Sequence, residues 1–318
     1  MKSMQQRGAA LLMAMLTAAM VATLAATATW RIWQLTEVES AESNRAQLAW
    51  LLQGALDWSR LILREDARAN LATPVDHLNE PWALPLEEAR LSTFLAARDS
   101  ASAESTTTEA FLSGSIIDMQ GRFNLTNLWQ GTALSEPDVV TFVQLLTILR
   151  QDPTPWLRAI DRVNQLEGEG QVARPQRLGE WQWTGLSSDQ TNALAPYVGV
   201  LPKRTAININ TAPAAVIAAL LPALSITQAQ VLVRERSLKP FASLADLKKR
   251  HPELASEVND QRLSTVSDFF RVTGVLRLNA HSVSESSLLQ RNGMNVAVLW
   301  RERSSQNAPI HRDFTAAP

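Results

Sequence analysis

The stretch Arg7-Gly8-Ala9-Ala10-Leu11-Leu12-Met13 opens an uncharged run that extends from Ala9 to Trp30. About 22 residues rising ~1.5 Å each make a helix of about 33 Å, enough to cross the hydrocarbon core of a bilayer. Lys2, Arg7 and the N-terminal amine place positive charge before the run. That charge holds this end in the cytoplasm and sends everything after Arg31 to the far side. Two readings follow from the residues alone. One is a secretory signal peptide cut at the small-residue site Ala26-Thr27-Ala28; the other is a plain N-terminal anchor.

Working outward, the remaining ~290 residues are ample for a substantial core. Net charge is −1, with acids and bases interspersed, which argues against a nucleic-acid surface. Cysteine is absent, so there is no disulfide framework and no thiolate metal site. From Arg31 to Arg68 the pattern stays helical. Ile32, Leu35, Val38, Leu48, Leu51, Leu52, Leu56, Ile62 and Leu63 recur at three- and four-residue spacings, and Gly54 is the only breaker. One continuous helix from the membrane into a soluble domain is expected. The turn-rich segment Asp76 to Pro85 follows, with Trp82 as its anchor. Asp76, His77 and Glu80 there invite a metal or acid/base reading, which two neighbouring prolines make the weaker one. Ser100 to Glu109 is small and polar and reads as a loop.

Leu112 to Leu128 reads as a hairpin whose turn closes at Gly121, the residue best able to take a positive φ. Asn124 and Asn127 suit side-chain-to-backbone bonding at a strand exit. From about 134 to 263 the pattern is helical. Thr211 is expected as an N-cap with Pro213 in the first turn, a second helix is expected at Thr227–Glu235, and Ser243 should cap a third. These units resemble a helix-hairpin-helix module. Such hairpins hold DNA phosphate on bare amides of a glycine turn, but the turn here is Pro222-Ala223-Leu224-Ser225-Ile226, so no nucleic acid is expected. After Ser264 the period becomes two. Phe270 to Asn279 alternates, Asn292-Gly293 marks a tight turn, and Asn295 to Arg301 returns.

Several strings resemble one family. Arg7-Gly8-Ala9 is similar to the leader of type IV pilins and type II secretion pseudopilins, in which prepilin peptidase cuts after the glycine and the apolar segment stays on the chain. Asp118-Met119-Gln120-Gly121-Arg122-Phe123-Asn124-Leu125-Thr126-Asn127-Leu128 resembles a segment of the large minor pseudopilin, the general secretion pathway protein K (GspK) family. Asp76 to Ala83 is similar to another of its segments, and Asn208-Ile209-Asn210-Thr211-Ala212 to a helical insertion that mediates protein contacts. The resemblance covers nearly the whole chain. It implies processing between Gly8 and Ala9, with Asp118, Gln120, Gly121, Arg122, Phe123, Asn124, Asn208, Asn210 and Thr211 as structural motif residues.

The same resemblance implies an α+β fold: a long, half-transmembrane N-terminal helix packed on a pilin-like antiparallel sheet, with a large helical insertion. The expected divisions are a leader at 1–8, the membrane half of the helix at 9–30, the first part of the pilin-like domain at 31–133, the insertion at 134–263 with its hairpin part at about 205–250, closing strands at 264–303 and a tail at 304–318. The implied function is a minor pseudopilin at the pseudopilus tip. It would be single-pass in the bacterial inner membrane with its C-terminal domain in the periplasm. The implied partners are the I- and J-type minor pseudopilins, the major pseudopilin and the prepilin peptidase. An exported soluble binding module with an ordinary signal peptide is the alternative.

Two departures from the family pattern stand out. Most pseudopilins carry glutamate at the fifth mature position, whereas cleavage after Gly8 puts Met13 there. A lone carboxylate in the bilayer costs about 2.5–3.5 kcal/mol on insertion scales unless a neighbour's amine compensates, and a tip subunit has no neighbour above it. The second departure lies where some members hold calcium. This chain has Asp161-Arg162-Val163-Asn164 and Glu167-Gly168-Glu169-Gly170, poorer in carboxylates than a calcium site wants, so no metal ligand is named and no cofactor is expected from the residues, and calcium stays open only as what the family resemblance implies. The four histidines form no paired motif, and no nucleophile elbow, P-loop or dinucleotide fingerprint is present, so an enzyme is not expected.

Overall fold

The computed structural model describes residues 4–90, 110–168, 170, 173–278 and 281–306. The expected loop at 100–109 lies outside them, as do Glu169 and residues 307–318 of the expected tail. The chain divides into two compact units, Met1–Gln53 and Gly54–Pro318.

The first unit is the N-terminal part of helix α1, Met4–Ala69. Alanine, leucine and methionine favour helix here and no proline interrupts. Its threonines bond backward to the helix itself. Thr17 Oγ1 donates to the Met13 carbonyl at 3.0 Å and Thr29 Oγ1 to that of Ala25 at 2.9 Å, so no hydroxyl needs water.

In the second unit α1 ends at Ala69 and is followed by β1 (Leu86–Arg90) and β2 (Ala110–Asp118). The insertion contains β3 (Phe123–Asn124), β4 (Trp129–Gln130), β5 (Ala133–Leu134), α2 (Glu136–Ile148), α3 (Pro153–Gly168), α4 (Ser188–Leu194), β6 (Val198–Gly199), β7 (Ile207–Asn208), α5 (Ala214–Leu220), α6 (Ile226–Leu238), α7 (Leu244–Arg250) and β8 (Leu263–Ser264). The chain then closes with β9 (Phe269–Leu278), β10 (His281–Asn292) and β11 (Asn295–Gln306).

One antiparallel sheet runs in the order β1-β2-β9-β10-β11. Period-two alternation sends Phe270, Val272 and Leu289 to one face. There they meet Leu56 and Leu63 of α1, Val296 and Trp82. Each such fully buried side chain stabilises by about 1.5–3 kcal/mol relative to exposure. Phe269 and Leu288 point the other way and pack with Met119 and Leu201. The insertion has its own core. Phe123 stacks on Phe142 at 5.5 Å, Phe142 meets Trp156 edge-on at 5.6 Å, and Trp156 meets Trp181 at 5.7 Å. Ser225 and Ser243 cap α6 and α7, accepting from the amides of Gln228 and Asp246.

Four expectations are corrected. Residues 112–128 are not a hairpin: β2 pairs with β1 and β9, whereas β3 crosses into the insertion and pairs in parallel with β6. Between them Asp118 accepts from the Gln120 amide and turns the chain out of the sheet. The sheet begins at Leu86 rather than near Leu112, because β1 adds an edge strand whose Leu-Glu-Glu-Ala-Arg sequence carries no β signal. The closing part has three strands. Ser282 to Ser287 is too polar to read as a strand alone, yet β10 lies between two others and is paired along both edges. Finally, β11 extends through residues 304–306, where a tail was expected. Gly293, at φ 56°, closes the turn between β10 and β11.

Candidate functional site

Two features carry functional weight: the apolar helix and a polar junction built from the motif residues. Among the described residues one helix is long and apolar enough to cross a membrane, Ala10–Glu39, with mean hydropathy 2.0 and none of its span buried. Leu11, Leu12, Met13, Leu16, Met20 and Leu24 are all exposed, Met13 by 67%. A continuous apolar surface of this size is not stable in water and requires lipid or neighbouring helices. Trp30 and Trp33 stand together at 5.5 Å where the apolar run ends, the residue type that settles at a membrane–water interface. Gly8 and Ala9 lie on the helical backbone of α1; their surroundings lie outside the described side chains. The helix is unbroken through Ala26–Ala28.

The junction gathers on Asp118, at the end of β2. Its Oδ2 accepts from Thr211 Oγ1 and Ser267 Oγ, each at 2.6 Å, and from Asn208 Nδ2 at 3.0 Å; Oδ1 accepts from the Gln120 amide at 2.7 Å. Burial pushes this carboxyl above its usual range, and the four donated bonds pull it back. Nearby, the buried Arg236 guanidinium is pushed down to about 10 by burial, against the raising influence of Asp118, and it donates to the Ile209 carbonyl.

The other motif residues each tie two segments together. Gln120 donates to the Ala206 carbonyl at 3.2 Å and accepts from the Asp268 amide at 2.6 Å. Arg122 donates to the Ala195 carbonyl, and the Phe123 amide to that of Tyr197. Asn124 accepts from the amides of Thr126 and Leu201 and donates to the Lys203 carbonyl, so one side chain spans 79 positions. Asn210 bonds both the amide and the carbonyl of Phe241 at 2.8 and 2.9 Å, fixing the segment between α6 and α7. Thr211 is not an N-cap. Pro213 occupies that position on α5 without a side-chain bond, and the Thr211 hydroxyl is turned to Asp118 instead.

Gly121 does not take a positive φ; among the described residues the glycines that do are Gly131, Gly170, Gly185 and Gly293. Its requirement is closeness. A Cβ there would lie 2.7 Å from Thr211 Oγ1 and 3.0 Å from the Thr211 carbonyl carbon.

Sequence reasoning missed Arg291 and Ser267. Arg291 donates to Asp66 on α1 at 2.7 Å, to Asp76 at 2.5 Å and to the Ser267 carbonyl at 2.9 Å, and lies over the Phe270 ring. Asp76 Oδ2 accepts from the Ser267 amide at 2.7 Å. Two aspartates share one guanidinium here, with Glu80 close beside them. Burial, then Glu80 and Asp76, push Asp66 up to about 7; burial pushes Asp76 up to about 6 against the pull of Arg291. The available signal was an arginine two residues beyond Leu289 on the same strand face, where a core position is expected.

Carboxylate oxygens of Asp66, Asp76 and Glu80 lie within 4.8 Å of one another, as in a cation site. They already have protein partners: Asn70 and Trp82 donate to Glu80 at 2.8 Å, the His77 amide donates at 2.9 Å, and Arg291 answers the aspartates. The calcium region of the family also fits poorly. Asn164 Oδ1 accepts from Trp129 Nε1, Glu167 is paired with Arg174, and Asp161 is left exposed on α3. With Asn164 and Glu167 engaged in this way, the described residues offer few of the oxygens a calcium ion needs.

Chemically the junction is a clasp: its carboxylate and hydroxyls are buried and bonded to one another, and it joins sheet, insertion and the end of α1. A helix long and apolar enough to cross a membrane, continuing into a helix-on-sheet head with a helical domain inserted between β2 and β9, defines a pilin-like α+β protein. A family model described as type II secretion system (T2SS), protein K matches residues 207–267, the span that carries Asn208, Asn210, Thr211 and Ser267. A Pseudomonas aeruginosa protein named type II secretion system protein K is 28% identical over 338 residues, covering 97% of this chain and 93% of that one. Its namesake from Pectobacterium carotovorum subsp. carotovorum is 27% identical over 335 residues, covering 94% and 96%. The solved GspK–GspI–GspJ complex of the enterotoxigenic Escherichia coli type 2 secretion system contains a chain alike at TM-score 0.65 and 19% identity, over 84% of this chain and 99% of that one. These comparisons agree with the resemblance read from the sequence: over nearly its whole length the chain is similar to type II secretion system protein K.

Proposed function

We propose that this chain is a minor pseudopilin anchored in the bacterial inner membrane by α1, with its C-terminal unit in the periplasm. It joins I- and J-type minor pseudopilins in a tip complex that nucleates and caps the pseudopilus, over the major pseudopilin, during export across the outer membrane. Prepilin peptidase cuts between Gly8 and Ala9. The role is structural, not enzymatic.

The observation that carries this reading is the wholly exposed apolar span Ala10–Glu39 on a chain whose fold is that of the GspK chain in a three-pseudopilin complex. Helix α1 runs through Ala26–Ala28 without the break a signal-peptidase site favours, which supports retention of the helix. Met13 supports the tip, since an apolar residue there needs no neighbouring amine. The experiment is to extract the mature protein from membranes and sequence its N-terminus. A start at Ala9, lost in Gly8→Ala together with assembly, supports the proposal. A start at Thr29 on a lipid-free protein refutes it and leaves the exported binding module.

A further inference from the structure

A cavity of about 320 Å³ opens in the insertion between the start of α2 and the β7–β8 pair, apart from the Asp118 clasp. Phe123, Ile207 and Leu220 give its lining an apolar part, and two arginines, Arg204 and Arg262, line it as well. They are held from different sides. Arg204 is spent: it donates to the carbonyls of Asn127 and Trp129 and to Asp138 Oδ2 at 2.7 Å. The backbone of Arg262 is fixed, its carbonyl accepting from the Ile207 amide at 2.8 Å and its amide donating to Asn259 Oδ1 at 3.1 Å.

The Arg262 side chain differs from Arg204 in having no anion. Nη2 donates to the neutral Thr141 Oγ1 at 2.6 Å, and Nε is buried with no acceptor. No carboxylate lies within ion-pair distance of it among the described residues. A guanidinium cannot shed its charge, and this one lines the cavity with a neutral hydroxyl as its bonded partner. An anion brought into the cavity gives it the charged partner that Arg204 already has in Asp138.

We propose that this cavity is a carboxylate-binding site that takes a glutamate side chain from another polypeptide. The planar fork of Arg262 suits a carboxylate, and the stem of a glutamate covers the Phe123–Leu220 wall that a bare anion would leave exposed. Asp138 lines the cavity and Asp260 stands exposed at its rim, and both repel a multiply charged anion such as phosphate more than a singly charged carboxylate. Exposed Gln130 and Gln261 lie at the same rim, with amides suited to a peptide backbone.

The test titrates the full chain in detergent micelles by calorimetry with four probes. These are a blocked hexapeptide bearing one central glutamate, its glutamine counterpart, N-acetylglutamate amide and inorganic phosphate. The expected result is that the glutamate peptide binds, that the glutamine peptide binds at least tenfold more weakly, and that Arg262→Gln weakens the glutamate peptide at least tenfold with an unchanged melting temperature. If Arg262→Gln fails to fold, Thr141→Val replaces it, loosening the guanidinium while leaving the charge, and should weaken binding severalfold. Equal binding of the two peptides, equal binding by the variant, or phosphate binding as tight as the glutamate peptide overturns the site. Binding of the blocked amino acid without the peptide overturns the polypeptide source.

Discussion

Replacing Gly121 by alanine tests the clasp with a single methyl group. The residue is not in left-handed backbone, so alanine meets no conformational barrier and should gain about 0.4–1 kcal/mol through a less flexible unfolded chain. Against that gain stands the Cβ at 2.7 Å from Thr211 Oγ1 and 3.0–3.1 Å from the Thr211 carbonyl group. Overpacking of this kind costs about 1–3 kcal/mol. The threonine hydroxyl must also leave Asp118 Oδ2, now at 2.6 Å, forfeiting a bond to a charged acceptor worth about 1.5–3 kcal/mol. The net expectation is a loss of about 2–5 kcal/mol. At roughly 2–4 °C per kcal/mol for a domain of this size, melting falls by about 5–15 °C. The assay is thermal unfolding followed by circular dichroism on the full chain in detergent, with Thr211→Ala and the double variant completing a cycle. The double variant should lose less than the sum of the two single changes, because one atom is responsible for both effects. A Gly121→Ala protein melting within about 1 °C of the original, or strict additivity in the cycle, refutes the argument.

The Asp66–Asp76–Arg291 group makes stability depend on pH. Folded carboxyls at about 7 and about 6 against an ordinary 3.8 bind more protons in the native state, so their contribution declines as pH rises from about 4 to 7. Asp66→Asn should therefore gain stability relative to the original between pH 5 and 7.5, as read by denaturant midpoints at each pH; a constant difference would count against it. Arg291→Met strands these carboxylates and should cost about 3–5 kcal/mol at pH 7.5 and less at pH 5, by the same midpoints. If Met13 marks a tip subunit, Met13→Glu should weaken assembly or change subunit order, measured by crosslinking within the tip complex; improved assembly would contradict the proposal.

Much of this protein was legible because some features depend only on near neighbours. The apolar run from Ala9, the alternation of Phe270 to Leu278, the turn at Asn292-Gly293 and the cap Ser243 each follow from residues within a few positions, where hydropathy, φ preference and capping act. Local reasoning went wrong at Gly121 and Thr211 for one shared reason. Both looked like ordinary local devices, a turn glycine and a helix cap, yet both serve a contact across 93 positions between Asp118 and Thr211. The polar strand β10 was hidden because pairing on both edges, not its own composition, makes it a strand.

The sequence by itself determined the long apolar helix, the helical character of the insertion and the motif strings. Only the tertiary structure decided which groups those strings face: Asp118 toward Thr211, Asn208 and Ser267, and Arg291 toward two aspartates on other elements. The physical reason is that a buried charge needs partners that local sequence does not supply. Chain closure over dozens to hundreds of residues brings those partners to it, as with Arg291 and Asp66, 225 positions apart.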